Sequence, residues 1–287
     1  MESISLKAYA KVNLCLDVLG RRPNGYHDLR MVMQQIGIYD EIEFVKTGEE
    51  GFRLQCNIDT IPMDDTNIVI KACKLMFETF SLNGGMVIHL QKYIPHSAGL
   101  AGGSTDAAAT LMAINELYGL RLSEEELCKL GVKLGADVPF CIVGGTCLAE
   151  GIGEVLTRLP SPEESYVLLV KPDVDVSTRH VYESLHLERH PKFDVDVDMT
   201  IKGLNEGSII KMIQGMGNAL ATVTEKEHPR IEELKKIMID NHALTAMMSG
   251  SGPSVFGIFS DVEDAMNVGD LIKKQGKETE IFVTQFI

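Results

Sequence analysis

Between a strand-like segment and an alanine-rich run the chain reads Pro95-His96-Ser97-Ala98-Gly99-Leu100-Ala101-Gly102-Gly103-Ser104-Thr105-Asp106-Ala107-Ala108-Ala109. These residue types in this order suit a polyphosphate. Glycines let the backbone approach an anion, the first turn of a following helix leaves its N–H groups unpaired, and the helix dipole favours negative charge there. Ser104 and Thr105 add hydroxyl donors. The same residues would also serve as a plain strand-to-helix turn capped by Ser or Thr. Neither the G-x-x-x-x-G-K-S/T loop nor the G-x-G-x-x-G fingerprint is present. A second stretch, Met248-Ser249-Gly250-Ser251-Gly252-Pro253-Ser254-Val255-Phe256-Gly257, leads into a strand and would either close over the same ligand or form a flexible hairpin loop. It is no nucleophile elbow, because Ser249 stands where G-x-S-x-G needs glycine.

Several polar groups accompany these loops. In Ala10-Lys11-Val12-Asn13-Leu14 a strand would place Lys11 and Asn13 on one face, either toward solvent or toward a ligand. Pro23-Asn24-Gly25-Tyr26-His27-Asp28 reads as a turn followed by an aromatic ring and an imidazole. Tyr26 and His27 would hold a flat base, or else Tyr26 would cap the edge of the core beside an exposed His27. Asp137, in Gly135-Ala136-Asp137-Val138-Pro139-Phe140, is an acid in an apolar setting that calls for a partner; it would otherwise cap the helix that Pro139 suits. His186 and His190 have an H-x-x-x-H spacing, but no nearby Glu supports a zinc site.

The elements that must position these groups are mixed. Alternation over 4–18, 41–46 and 86–94 predicts strands, and helical periodicity follows Thr66 to about Phe80 and Ser104 or Thr105 to about Gly119. Ser123 and Glu126 form a capping box for a helix over Glu124–Leu134, stopped at Gly135. Beyond the break at Leu159-Pro160-Ser161-Pro162 the pattern predicts strands at Tyr166–Val170, Ser254–Phe259 and Ile281–Phe286. Helices are expected near Arg179–Leu185, within 205–225 and over 229–240. Strands and helices do not alternate one for one, which points to an α+β class with domains 1–160 and 161–287.

A net charge of −14 argues against nucleic acid or an anionic membrane as the main partner, though not against a small anion in a local nest of N–H groups. The six cysteines lack a C-x-x-C pair and read as buried thiols. With no secretory leader and no apolar run long enough to span a bilayer, the expected compartment is the cytoplasm.

Lys11–Leu14, Pro95–Ala108 and Ser249–Gly257 fall in the order of the three motifs of the GHMP kinases, named for galactokinase, homoserine kinase, mevalonate kinase and phosphomevalonate kinase. Together with Gly25-Tyr26-His27-Asp28-Leu29 and Gly135–Phe140, the chain resembles the 4-diphosphocytidyl-2-C-methyl-D-erythritol kinases among them. The resemblance implies an N-terminal domain like the second domain of ribosomal protein S5 and a ferredoxin-like C-terminal domain, with ATP and acceptor meeting in a cleft. It implies ATP with Mg2+, a cytidine diphosphate-linked methylerythritol as acceptor, and phosphorylation of its 2-hydroxyl for isoprenoid precursors. Lys11 and Asp137 match the catalytic pair, Pro95–Thr105 the segment around the ATP phosphates, and Asn67 the adenosine end. Tyr26 and His27 match the cytidine site, Thr178 and Tyr182 the acceptor, and Asn13 shares the face of Lys11. Ala101 replaces a frequent glycine, Thr105 a serine, and Tyr182 a ring that is commonly Phe.

On this reading Asp137 orients or deprotonates the acceptor hydroxyl while Lys11 stabilises developing charge. Another GHMP kinase of the homoserine or mevalonate type, or a catalytically silent metabolite-binding regulator, are the alternatives. Monomer and homodimer are both left open.

Overall fold

The computed structural model describes residues 2–185, 195–276 and 278–287, so the His186 and His190 pair lies outside the described residues. Two compact units emerge. One comprises Met1–Ala10, Ile38–Ile94 and Ala101–Gly144, the other Lys11–Gly37, Pro95–Leu100 and Gly145–Ile287. Two long strands, β1 (Ser3–Arg21) and β2 (His27–Thr47), run through both.

In the first unit the later part of β2 alternates buried Ile42 and Phe44 with exposed Glu41 and Glu43, as a strand with one covered face must. β3 (Gly51–Cys56) lies parallel to β4, and α1 (Ile68–Phe80) connects them. β4 (Gly85–Gln91) pairs antiparallel with β2, with Ile42 opposite Leu90. α1 buries Val69, Ala72, Cys73 and Met76 and ends where Ser81 turns left-handed at φ 50°. Its cap is Asn67 rather than Thr66, since the Asn67 side chain accepts from the Val69 N–H.

α2 (Gly102–Leu117) packs on α1 and on α4 (Val138–Val143). Thr105 to Leu111 are buried without interruption, and the alanines among them allow that close approach on every side. The helix ends, as expected, before Gly119 at φ 61°. α3 (Glu124–Gly131) carries the expected capping box but stops before the predicted Leu134. At Gly131 it meets α4, where a Cβ would lie 2.9 Å from Val138 Cγ1.

In the second unit the first part of β2 pairs antiparallel with β5 (Thr146–Gly151), and β5 with β6 (Val155–Leu159). Among the described residues β7 (Tyr166–Pro172) is followed by five helices: α5 (Thr178–Ser184), α6 (Val197–Asn205), α7 (Ile209–Gly215), α8 (Ala221–Glu227) and α9 (Arg230–Asp240). Short β8 (Gly217–Asn218), between α7 and α8, pairs parallel with Cys15 and Leu16 of β1. Then come β9 (Thr245–Met248), β10 (Val255–Phe259), α10 (Val262–Lys274) and β11 (Glu278–Gln285). The last strands form an antiparallel sheet in the order β11-β7-β10-β9, the ferredoxin-like arrangement. Its central strands bury apolar runs, Val167–Val170 in β7 and Val255–Phe259 in β10.

No cysteine is bridged; Cys15, Cys73, Cys141 and Cys147 are buried, whereas Cys56 and Cys128 are partly exposed, contrary to the expectation for those two. Among the described residues no helix is long and apolar enough to cross a membrane.

Candidate active site

Lys11 and Asn13 do share one face of β1, and that face is not solvated: they are 4% and 1% exposed. Lys11 Nζ donates to Asn13 Oδ1 at 2.9 Å and to the Gly99 carbonyl at 3.2 Å. The Lys11 backbone N–H donates to Leu100 O at 3.1 Å. Strand and glycine-rich segment are thus joined by main chain and side chain together. A buried ammonium held by such bonds is oriented at a cost in hydration that a surface lysine never meets.

The second glycine-rich stretch, between β9 and β10, is likewise no loose hairpin. Ser249, Ser251 and Ser254 are buried, and Ser249 Oγ donates to the same Gly99 carbonyl at 3.1 Å. Asn218 Nδ2 donates to Met248 O and Gly250 O at 2.9 and 2.8 Å, and Thr224 Oγ1 donates to Ser251 O at 3.1 Å. Gly250 adopts φ 56°, and a Cβ there would lie 3.4 Å from Asn13 Oδ1 and 3.5 Å from Lys11 Nζ. Thr178, exposed at the start of α5, shares a 2.8 Å hydrogen bond with Ser251 Oγ. Asn218 had no signal of its own in the sequence, because its partners are backbone atoms far along the chain.

The rings are arranged differently from the expectation. His27 is 6% exposed and stacks on Tyr182, with centroids 5.2 Å apart and planes at 28°, while Tyr26 is 57% exposed. Burial lowers the His27 pKa, and Arg21 adds to that, so both favour the neutral ring. A core-edge Tyr26 beside an exposed His27 is therefore excluded.

In the first unit, α2 begins at Gly102, before the predicted Ser104 or Thr105. Its N-cap is Ala101, at φ 58°, with no side-chain cap bond. The plain Ser/Thr-capped turn is overturned, and the glycine that Ala101 replaces would have suited that φ. Ser104 and Thr105 lie inside the first turns, the former half-buried and the latter buried. Gly135 lies close to Ser104, where a Cβ would be 3.9 Å from its Oγ, so the helix start faces the segment carrying Asp137. Asp137 is half-buried at the start of α4, with Pro139 in the first turn, yet its side chain makes no cap bond to the helix. Asn67 is occupied structurally, as cap of α1 and as donor to Pro62 O at 2.6 Å. His96 and Ser97 are exposed, whereas Pro95, Ala98 and Leu100 are buried.

One group escaped the sequence reading. Lys92 Nζ is buried between two acids, bonded to Asp40 Oδ2 and, at 2.7 Å, to Asp106 Oδ2. Asp40 Oδ1 also accepts from the N–H groups of Tyr93 and Ile94. Burial raises the Asp106 pKa to about 8 against the pull of Lys92, with Asp40 adding to the rise. Lys92 is itself raised, because the two carboxylates outweigh its burial.

The chain matches the GHMP kinases N terminal domain over residues 67–145 and the GHMP kinases C terminal family over 200–278. It is 46% identical to a 4-diphosphocytidyl-2-C-methyl-D-erythritol kinase of Lachnospira eligens over 99% of both chains. It is 48% identical to one of Lachnoclostridium phytofermentans, over 100% of this chain and 98% of the relative. The chain belongs to the 4-diphosphocytidyl-2-C-methyl-D-erythritol kinase family of GHMP kinases. A solved kinase of that name superposes on it with a TM-score of 0.83 at 29% identity, covering 99% of each chain. A homoserine kinase from Cytophaga hutchinsonii shares the fold, at TM-score 0.80, 22% identity and coverage of 99% and 94%. The two-domain GHMP kinase fold is thereby established, and family membership makes the chain an ATP-dependent kinase.

Proposed function

We propose that this GHMP kinase transfers the γ-phosphoryl group of ATP to the 2-hydroxyl of 4-diphosphocytidyl-2-C-methyl-D-erythritol. The observation that carries the chemistry is the buried Lys11 ammonium, held by Asn13 and by the carbonyl of Gly99 within the glycine-rich segment. Phosphoryl transfer asks mainly for in-line positioning and for neutralisation of charge on the moving group. The segment Pro95–Thr105 and the uncapped N–H groups of α2 hold the ATP phosphates, Lys11 stabilises the developing charge, and Asp137 orients the acceptor hydroxyl or takes its proton. Asn67 serves the adenosine end; Asn13, Tyr26, His27, Thr178 and Tyr182 serve the cytidine-linked acceptor. The intact Lys11 and Asp137 favour this reading over a silent regulator.

Among the described residues no group of three or more His, Cys, Asp or Glu is placed to hold a metal. Mg2+ would bridge the nucleotide's phosphates, with the hydroxyls of Ser104 and Thr105 as protein oxygens at the same helix start. When bound it supplies charge neutralisation. Functional domains divided near residue 160, and a cytoplasmic setting, belong to the same proposal. The two family matches fall on either side of that boundary.

ATP consumption measured with the cytidylyl acceptor, mevalonate and homoserine in parallel tests the reading. Turnover with the first alone supports it. Turnover with either of the others alone refutes the substrate, and binding of the first without ATP consumption refutes the kinase.

A further inference from the structure

Lys92 sits directly beneath the start of α2. A Cβ built on Gly102 would lie 3.3 Å from Lys92 Nζ and 3.2 Å from Ile94 Cγ2, so Gly102 is a glycine partly because the ammonium occupies that space. Asp106 is one helical turn on from Gly102 on the same face, which is how it reaches the same Nζ.

A cation at this end of a helix is in the wrong place for the helix alone. The N-terminus already carries a partial positive charge, and a second positive charge there is unfavourable until an anion arrives. Asp40 fixes the ammonium but does not turn it outward, being itself tied to the Tyr93 and Ile94 N–H groups. Asp106 makes one bond to Lys92, while its Oδ1 is buried with no hydrogen-bond partner. Two ionised carboxylates would reverse the sign of the cluster; a proton on Asp106 leaves the lysine balanced by Asp40 alone.

We propose that Lys92, clamped by Asp40 and Asp106, is a positioning residue for the nucleotide: its ammonium supports the Gly102 turn from below and makes the first N–H groups of α2 a stronger phosphate site. This rests on the reading of Gly102–Thr105 as the phosphate cradle.

Three variants of the protein test it. Lys92→Met keeps the stem but leaves the Asp40 carboxylate buried without its cation, and such loss of one partner in a buried pair is destabilising. The triple variant Lys92→Met/Asp40→Asn/Asp106→Asn removes the cation without leaving a lone charge. The triple variant should melt close to wild type yet show a KM for ATP raised about tenfold, with the KM for the acceptor changed less than about twofold. Lys92→Arg should recover part of the loss.

Gly103→Val serves as the control for the cradle. Gly103 is exposed, and a Cβ there has only Ile68 Cγ2 nearby at 3.7 Å, so a side chain obstructs phosphate without touching Lys92. If Gly103→Val weakens ATP binding and the folded triple variant does not, the role of Lys92 is wrong and the cradle stands. If neither weakens it, the cradle reading fails and the proposal with it. Equal rises in both KM values would also overturn the proposal, since a general structural role predicts that pattern.

Discussion

Gly99→Ala is a severe test of the site because three segments meet at that residue. Its φ of 74° is left-handed, and alanine there costs about 1–2 kcal/mol. The added Cβ would lie 2.3 Å from Ser249 O and 3.2 Å from Gly252 O, both backbone atoms that no rotamer change can move. Forcing a methyl into such a contact adds about 1–3 kcal/mol. If the peptide swings to escape, Gly99 O leaves Lys11 Nζ and Ser249 Oγ, and a bond to a charged group alone contributes about 1.5–3 kcal/mol.

The total expected is roughly 2–5 kcal/mol, or a melting temperature lower by about 4–15 °C for a chain of this size. Gly119→Ala is the matched control: φ is 61° but nothing lies within 4 Å of the added methyl, so only the backbone term of about 1–2 kcal/mol should appear. Thermal unfolding of both, followed by circular dichroism, separates strain from collision. A Gly99→Ala protein that melts no lower than Gly119→Ala would show that the two glycine-rich stretches are not held together at this point.

The remaining expectations concern chemistry and charge. Asp137→Asn should lower turnover by at least ~10²-fold while ATP titrations stay close to wild type; near-normal turnover in the folded variant removes Asp137 from the mechanism. Tyr26→Ala should raise the KM for the cytidylyl acceptor roughly ten- to hundredfold, and the KM for ATP little. Because the Tyr26 ring is exposed, its melting temperature should not move, and an unchanged acceptor KM would deny it a stacking role. For Asp106 the folded pKa, about 8, lies above the ordinary 3.8, so the folded state holds a proton that the unfolded chain releases. Its contribution to stability therefore declines as pH rises from about 4 to about 8. Asp106→Asn cannot ionise, so the variant's melting temperature should gain on wild type between pH 5 and pH 8.5; a constant difference would mean Asp106 is ionised throughout.

Much of the arrangement was legible where a local rule governs it. The Ser123–Glu126 box, the stop at Gly119 and the shared face of Lys11 and Asn13 follow from capping geometry and strand alternation, and all three stand in the structure. What was missed depends on distant partners. The turn read at Pro23–Asp28 overlaps only the start of β2, and the rest of its first half carried no strand reading, because nothing near His27 announces that β5 will pair with this strand. Nothing local marks α6 and α10; their caps, Asp196 and Asp261, are common residues, and α10 has Gly269 inside it. The His27–Tyr182 stack joins residues far apart in sequence, and the Asp40–Lys92–Asp106 group draws one residue each from a strand, a strand end and a helix. Ala101 is a mixed case: the substitution for glycine was visible, but its positive φ was not.

The passage of β1 and β2 through both compact units has a consequence for synthesis on the ribosome. Every segment of the first unit has been made once Gly144 emerges, so that unit can collapse while translation continues. Lys11–Gly37 and Pro95–Leu100, although made early, belong to the other unit and must wait for partners translated later. Ser249, which closes onto Gly99, is among the last of these. A nascent chain thus carries His27 without Tyr182, and the tip of the glycine-rich segment without Ser249, until late in its elongation, exposed to holdase chaperones and to proteases. Slowing translation between Gly145 and Ser249 would lengthen that vulnerable interval, and arrest before Gly145 would spare the first unit while leaving those segments unfolded.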